Sequence, residues 1–225
     1  MNIATIDKTT ARMLLYRFLY EAYTYPESKL IEILMSESIW KELQVADGVF
    51  GTESRQYMSN MQSYIQQHSA DTKKLLQDLQ VEYTYLFINA VPRVPASPYE
   101  SVYTDDGLIM GEPVSQVLHL YREAGLSVKD SFDAPPDHIA AEIEFMFYLI
   151  QQEAVSIQNG EENAAVWKRR QEQFLSQHLL KWVPIFLEKM KAGVRQPFYR
   201  DLAELLGTLL NIEKKTLEVE SGNNL

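Results

Sequence analysis

The segment PPDHIAAEIEFM, residues 135–146, places carboxylates and a histidine within two helical turns. Asp137 and His138 are adjacent, so on a helix their side chains diverge by about 100° and cannot form a directly bonded pair. His138 and Glu142 are four residues apart, so their side chains can touch on one helix face. Three interpretations are therefore open: a catalytic or metal-binding pair, ordinary helix capping, and a docking surface that includes Glu144.

The metal interpretation needs a further ligand, because a catalytic ion requires at least one more protein donor, usually from another helix. No pattern selects that ligand among the remaining histidines, His68, His119 and His178. Other catalytic classes lack their motifs, since the chain has no cysteine, no nucleophile-elbow serine and no glycine-rich phosphate loop. A helical metal-dependent hydrolase using His138 and Glu142 stays as the alternative function.

The capping interpretation accounts for part of the segment. Pro136 suits the first position of a helix, and Asp137 in the first turn is stabilised by the positive end of the helix dipole. The interpretation leaves His138, Glu142 and Glu144 in need of water or a partner. The buried stripe of this helix is predicted to be Ile139, Ile143, Met146, Phe147 and Ile150.

The middle of the chain is strongly acidic. The net charge is −10, and residues 97–144 hold ten acids against two bases. Such a field repels nucleic acid and anionic membrane and attracts cationic peptides, although a solubilising surface has the same composition. No apolar run reaches the length of a membrane span, and the N-terminus lacks the pattern of a secretory signal, so we expect a cytoplasmic protein without membrane insertion.

Hydrophobic periodicity predicts helices nearly throughout the chain. We expect an all-α fold: a single compact helical domain over residues 1–220, with one long ordered proline-rich loop, followed by a flexible tail at 221–225. The predicted helix signals are Thr9 or Thr10 as the first cap, a single helix starting at Pro26 and running past Trp40, Asp71 as a later cap, and an interruption at Pro184.

A loop of unusual length separates two of these helices at residues 89–111. Loops this long in compact domains are usually functional or disordered, and this one is too apolar to remain solvated. Its prolines restrict the backbone, and Asp106-Gly107 supplies a tight turn. We therefore expect residues 92–110 to be ordered and packed on the helices that carry Leu86–Phe87 and Asp137–His138.

Three blocks of the sequence carry a resemblance to a known family. They are EYTYLF (residues 82–87), PASPYESVYTDDGLIMGEP (95–113) and PPDHIAAEIEFM (135–146). In order and spacing they resemble the TorD/DmsD family of molybdoenzyme chaperones, the redox enzyme maturation proteins. Tyrosines stand where the DmsD branch favours tryptophan, and Glu100 replaces a small residue of that branch, so the chain is more similar to the TorD-like side.

The resemblance implies a cytoplasmic, non-enzymatic chaperone with no cofactor of its own. Its partners would be the catalytic subunit of a molybdopterin oxidoreductase and the twin-arginine signal peptide of that subunit, held until the molybdenum cofactor is inserted. It also implies a homodimer alongside the monomer. The positions that match the family motifs, and are the predicted client-binding residues, are Leu86, Phe87, Pro98, Tyr99, Ser101, Tyr103, Asp137 and His138, with Glu142 and Glu144 in the acidic continuation.

Physical chemistry also favours the docking interpretation. A twin-arginine signal peptide has two guanidinium groups followed by a moderately apolar segment. Its receptor needs carboxylates beside an apolar or aromatic groove. The acidic middle segment and the tyrosine- and proline-rich loop supply both in this sequence.

Overall fold

A computed structural model describes residues 7–104, 111–126 and 135–222 of the chain. The described part contains no β-strand, and the predicted all-α fold is confirmed. The helices are α1 (Lys8–Tyr23), α2 (Ser28–Met35), α3 (Glu37–Phe50), α4 (Arg55–Gln67), α5 (Thr72–Tyr83), α6 (Ser101–Thr104), α7 (Glu112–Glu123), α8 (Ile139–Asn159), α9 (Ala164–Phe174), α10 (Leu180–Gly193) and α11 (Pro197–Gly222). Two π-helical turns, Thr84–Ile88 and Leu175–Leu179, continue α5 and join α9 to α10.

Several helix ends differ from the sequence prediction. The first cap is Asp7, whose carboxylate accepts the Thr10 backbone N–H at 2.7 Å, so the prediction of Thr9 or Thr10 is wrong by two residues. The segment after Pro26 forms two helices, because the chain leaves helical geometry at Ser36. The cap at Asp71 is confirmed by its bond to the Lys74 N–H.

The interruption predicted at Pro184 is displaced. α10 runs through Pro184, and the irregularity is the π-helical turn Leu175–Leu179 before it. Proline lacks the N–H for the i−4 carbonyl and crowds that carbonyl, and a widened turn before it gives the backbone room. α11 continues to Gly222, into the segment predicted as a tail, and 223–225 lie outside the described residues.

An aromatic core lies between the helices. α1 packs against α8 and α3, and α11 packs against α4 and α10. Phe87 lies in this core, with ring centroids 4.8 Å from Tyr83, 5.9 Å from Phe186 and 6.2 Å from Tyr199. No helix among the described residues is both long and apolar enough to cross a membrane.

A buried polar network ties together the helices near the two ends of the chain. The Arg12 guanidinium of α1 donates to Glu213 of α11 at 2.7 Å and to Gln171 of α9 at 2.8 Å. The Gln171 amide in turn donates to Glu153 of α8 at 2.8 Å. We call these four side chains the Arg12 network, and in it each buried carboxylate has a donor.

Candidate functional site

The proline-rich loop is joined to the start of α8 by backbone pairing. Tyr99 and His138 form an isolated antiparallel bridge. The Ile139 N–H donates to the Pro98 carbonyl at 2.8 Å, and the Glu100 N–H donates to the Asp137 carbonyl at 3.0 Å. We call this pairing the loop–α8 junction. It brings the second and third sequence blocks into direct contact, although about 36 residues separate them along the chain.

Asp137 secures the loop–α8 junction with its side chain. Its Oδ2 accepts the Ser101 N–H at 2.9 Å, and the residue is fully buried. Asp137 lies before the helix, because α8 begins at Ile139 with His138 as its cap. The predicted helix start at Pro136, with Asp137 in the first turn, is therefore wrong: these two residues serve the tertiary pairing instead of the helix.

His138 caps α8 with its ring. Its Nδ1 accepts the Ala140 N–H at 3.1 Å, and the ring lies 5.2 Å from that of Tyr99. Burial lowers the pKa of His138 to about 4, so the imidazole is neutral at physiological pH. The expected contact between His138 and Glu142 does not form, since the ring bonds to its own helix and the Glu142 carboxyl faces Trp182.

Two buried glutamates connect the loop to α8 and α10. The Trp182 indole N–H donates to Glu142 Oε2 at 3.0 Å, and His178 Nδ1 lies 2.8 Å from Glu100 Oε2. Each of these four side chains is at most 3% exposed. Burial, and next the adjacent Glu100 carboxylate, raise the pKa of Glu142 well above its usual range.

Glu100 and His178 were missed as site residues by the sequence reasoning. They are 78 positions apart, and each looks like an ordinary polar residue in its local context. The one signal available was Glu100 itself, a charged residue in an apolar loop where the related branch has a small side chain.

The three buried carboxyl groups of Glu100, Asp137 and Glu142 form what we call the acid cluster. Two buried oxygen atoms at this place, Ser101 Oγ and Asp137 Oδ1, have no hydrogen-bond partner in the protein, and Glu142 Oε1 has none unless a protonated Glu142 donates to Glu100. Buried polar atoms are nearly always bonded, so unpartnered atoms grouped in one place are unusual. The described donors to the cluster are backbone N–H groups, an indole and a histidine ring.

The described part of the loop packs closely from Val94 onward. The Ala96 N–H donates to the Leu86 carbonyl at 3.1 Å, and a Cβ atom placed on Gly193 of α10 would overlap the Pro95 ring. Tyr103 stacks on Trp182 at 5.5 Å. Val91 is 96% exposed, and Pro92 and Arg93 are exposed too, so the predicted packing does not extend to them. Residues 105–110, with the predicted Asp106-Gly107 turn, lie outside the described residues.

The described residues hold no group of three or more histidine, aspartate or glutamate side chains arranged to bind a metal ion. The alternative hydrolase also required the His138–Glu142 pair, which does not form.

Comparison with known proteins places the chain in a family. The family model described as the nitrate reductase delta subunit matches residues 49–188, which include α5, the proline-rich loop and α8. The chain belongs to this family. The TorD-like resemblance of the three sequence blocks is confirmed.

Named relatives agree with this membership. A protein named chaperone protein TorD from Vibrio cholerae serotype O1 is 32% identical over 143 residues, and the match covers 63% of this chain and 63% of that protein. The chain thus spans less than two thirds of the length of this relative. The perchlorate reductase assembly chaperone protein of Dechloromonas aromatica is 24% identical over 97% of this chain and 96% of its own length.

A solved structure supports the fold independently. The crystal structure of a candidate redox enzyme maturation protein from Archaeoglobus fulgidus has a TM-score of 0.54 and 21% identity, with 93% of this chain and 99% of that chain covered. At this identity the likeness establishes the helical architecture alone.

In this member of the nitrate reductase delta subunit family, the predicted client-binding residues separate into three environments. Leu86 and Phe87 are core residues. The largest group lies at or under the loop–α8 junction: Pro98, Tyr99, Ser101, Tyr103, Asp137, His138 and Glu142. Glu144 is exposed on α8, where the Tyr20 hydroxyl donates to it.

The expected acidic surface is therefore smaller than its sequence suggests. Asp137 and Glu142 are fully buried, and Glu144 is the exposed member of the predicted acids. Near Glu144 lies a second carboxylate, Glu21 of α1, which is bonded to Lys29 at 2.6 Å. The aromatic surface is made by half-buried Tyr99 and by Tyr25, which is 42% exposed and packs edge-on against Tyr83 at 5.4 Å.

Proposed function

We propose that this protein is a chaperone for a molybdopterin oxidoreductase, and that it binds the apo catalytic subunit and its twin-arginine signal peptide. The observation that carries this proposal is the loop–α8 junction, where two family blocks pair through Tyr99 and His138. The relatives support it through their names, since one is a TorD chaperone and another is a reductase assembly chaperone. The role is non-enzymatic and cytoplasmic and uses no cofactor.

The surface supplies the two features that such a peptide requires. Tyr25 offers an exposed aromatic ring and Tyr99 a half-buried one, on which an apolar segment packs. Glu144 and Glu21 offer carboxylates for guanidinium groups. Binding through the surface carboxylates weakens as salt rises, because exposed charges are screened within about 8–10 Å at physiological ionic strength.

The proposal also covers the oligomeric state, in which a homodimer exists beside the monomer. Either form offers the same junction to a peptide unless the loop itself is exchanged between copies. Size-exclusion chromatography with light scattering, with and without peptide, measures whether binding selects one form.

Calorimetric titration with a synthetic signal peptide from a co-encoded molybdoenzyme tests the function. The parent protein should bind the peptide, and a peptide with both arginines replaced by alanine should bind at least about tenfold more weakly, a loss of about 1.4 kcal/mol. Tyr99→Ala should weaken binding, whereas Tyr57→Ala, a half-buried tyrosine on distant α4, should not.

Charge is tested with a second matched pair. Glu144→Gln and Glu162→Gln each remove one exposed negative charge, and only the first removes a residue of the proposed surface. We expect weaker binding for Glu144→Gln alone. Equal effects of the two would show that net charge, not a site, attracts the peptide. Failure of the parent to bind either the peptide or the apo catalytic subunit would end the functional proposal.

A further inference from the structure

We propose that the acid cluster is a latent cation site, closed by the segment Tyr99–Thr104, into which one guanidinium group of the client enters in exchange for a proton. We call this segment the strap. The inference rests on the proposed function, because it names where a client arginine is read. It goes beyond it by placing that arginine below the surface, on Asp137 and Glu142, the two carboxyl groups that the strap covers.

The acid cluster is short of hydrogen-bond donors. Glu100, Asp137 and Glu142 are each at most 3% exposed, and Asp137 Oδ1 has no hydrogen-bond partner. Glu142 Oε1 has none either when its carboxyl group is ionised. A guanidinium group has five N–H donors in a fixed planar arrangement and binds carboxylates in pairs. An arginine side chain of the client would therefore supply the N–H donors that the acid cluster lacks.

The strap covers the other two members of the acid cluster. Ser101 of the strap bonds to Asp137, and Glu100 of the strap lies beside Glu142. Displacement of the strap therefore uncovers the other two carboxyl groups. Its outer contacts are the bridge at Tyr99, the Tyr103 hydroxyl, which donates to the Ser97 carbonyl at 2.7 Å, and the Tyr103 ring, which contacts Trp182, Phe186 and the Lys189 ammonium group. No strand pairing extends from the bridge within the described residues.

The proton exchanged on binding is that of the Glu142 carboxyl group. The groups facing Glu142 are Glu100 from the strap, Asp137 from the turn before α8, and Tyr121 from α7, with His178 beyond Glu100. Burial and these acids raise the pKa of Glu142 well above its usual range. An entering guanidinium stabilises the ionised carboxylate, so the Glu142 O–H bond breaks, the proton passes to solvent, and an ion pair replaces it.

The decisive variant is Glu142→Gln. Glutamine has the shape of the protonated glutamic acid: its amide oxygen accepts the Trp182 N–H and its amide N–H faces Glu100. We therefore expect the variant to unfold at the same urea concentration as the parent at pH 7. Because glutamine cannot ionise, we also expect loss of the arginine-dependent part of the affinity, about tenfold or more.

Proton exchange is measured by calorimetry of the parent with the twin-arginine peptide in two buffers of different ionisation enthalpy. We expect release of about one proton, and an affinity that rises by up to about tenfold per pH unit while Glu142 is protonated in the free protein. Glu142→Gln should abolish both effects. Glu144→Gln, the exposed control, should lower affinity and leave the proton release unchanged, which assigns the proton to the buried group.

Hydrogen exchange at the Ser101 amide gives a readout that does not depend on any variant. That N–H is bonded to Asp137 in the closed state, so peptide binding should increase its exchange. Peptide binding with no proton release, or with stronger protection of Ser101, would overturn the latent site while leaving the proposed function intact. Absence of peptide binding by the parent overturns both.

Discussion

Two buried polar groups in this protein have opposite compositions. In the Arg12 network, an arginine and a glutamine supply the donors for Glu213 and Glu153. In the acid cluster three carboxyl groups converge, with one histidine, His178, which bonds to Glu100, and one neutral indole, Trp182, which donates to Glu142. The Arg12 network thus supplies a cationic partner for its carboxylates, whereas the acid cluster holds more acids than basic groups.

The largest expected effect belongs to the Arg12 network. Arg12→Met keeps most of the side-chain volume but leaves Glu213, only 6% exposed, without its guanidinium partner. Removal of one partner of a buried pair costs about 3–5 kcal/mol, so the free energy of unfolding measured in urea should fall by that amount. Arg17→Met, on the exposed face of the same helix, should change it by less than about 0.5 kcal/mol. Similar losses for both would mean that the network contributes no more than surface charge.

The second prediction concerns pH at the loop–α8 junction. The folded protein holds His138 neutral, with a pKa of about 4 instead of 6.5, so between these values the unfolded chain binds more protons. The stability that depends on neutral His138 is complete above pH 6.5 and is lost as pH falls toward 4, by up to about 3 kcal/mol.

The variant His138→Asn removes this titration and keeps the cap, because an asparagine side chain accepts the same Ala140 N–H. Unfolding free energies measured from pH 7.5 to 4 should therefore fall less steeply in the variant. The exposed substitution His119→Asn is the control, and its profile should follow the parent. If the unfolding free energy of His138→Asn fell with pH as steeply as that of the parent, another group would cause the acid sensitivity of the junction.

The smallest expected effect tests how the loop is seated. Gly193→Ala adds a methyl group that overlaps Pro95, so the loop must move or α10 must shift, at a cost of about 1–3 kcal/mol. Amide exchange within residues 95–104 should rise as the contact is lost. Gly207→Ala places its methyl group 3.4 Å from Leu187 and should be neutral or stabilising by up to about 1 kcal/mol, as expected inside a helix. An equal loss of stability in Gly193→Ala and Gly207→Ala would contradict a specific packing contact between Pro95 and Gly193.

The sequence predicted the features that depend on local chemistry. The cap at Asp71 and the buried stripe of Ile139, Ile143, Met146 and Ile150 follow from spacing alone, and the structure has both, with the fifth predicted member, Phe147, half-buried. The contact between the loop and the segment around Asp137 was also predicted, since the loop was too apolar to stay in water. These are cases in which local propensity and burial favour the same structure.

The features that the sequence reasoning missed depend on tertiary contacts. Pro136 and Asp137 fit a helix start, but pairing with the loop delays α8 until Ile139. Asp137 and Glu142 were predicted on a surface, because charged residues are rarely buried completely. Their burial depends on His178, Trp182 and the Ser101 N–H, which arrive from distant parts of the chain and leave no local pattern.

The π-helical turn Thr84–Ile88 has a consequence for how this family can vary in length. Such a turn contains one residue more than an α-helical turn, so deletion of one residue at its start would rotate the residues that follow, including Leu86, by about 100° about the helix axis. Leu86, whose carbonyl accepts the Ala96 N–H, would then direct that carbonyl away from the loop. A single-residue deletion here should disturb the site more than most substitutions, whereas insertions at exposed Val91 should be tolerated. The residue count of this turn is therefore more tightly constrained than the identity of its exposed side chains.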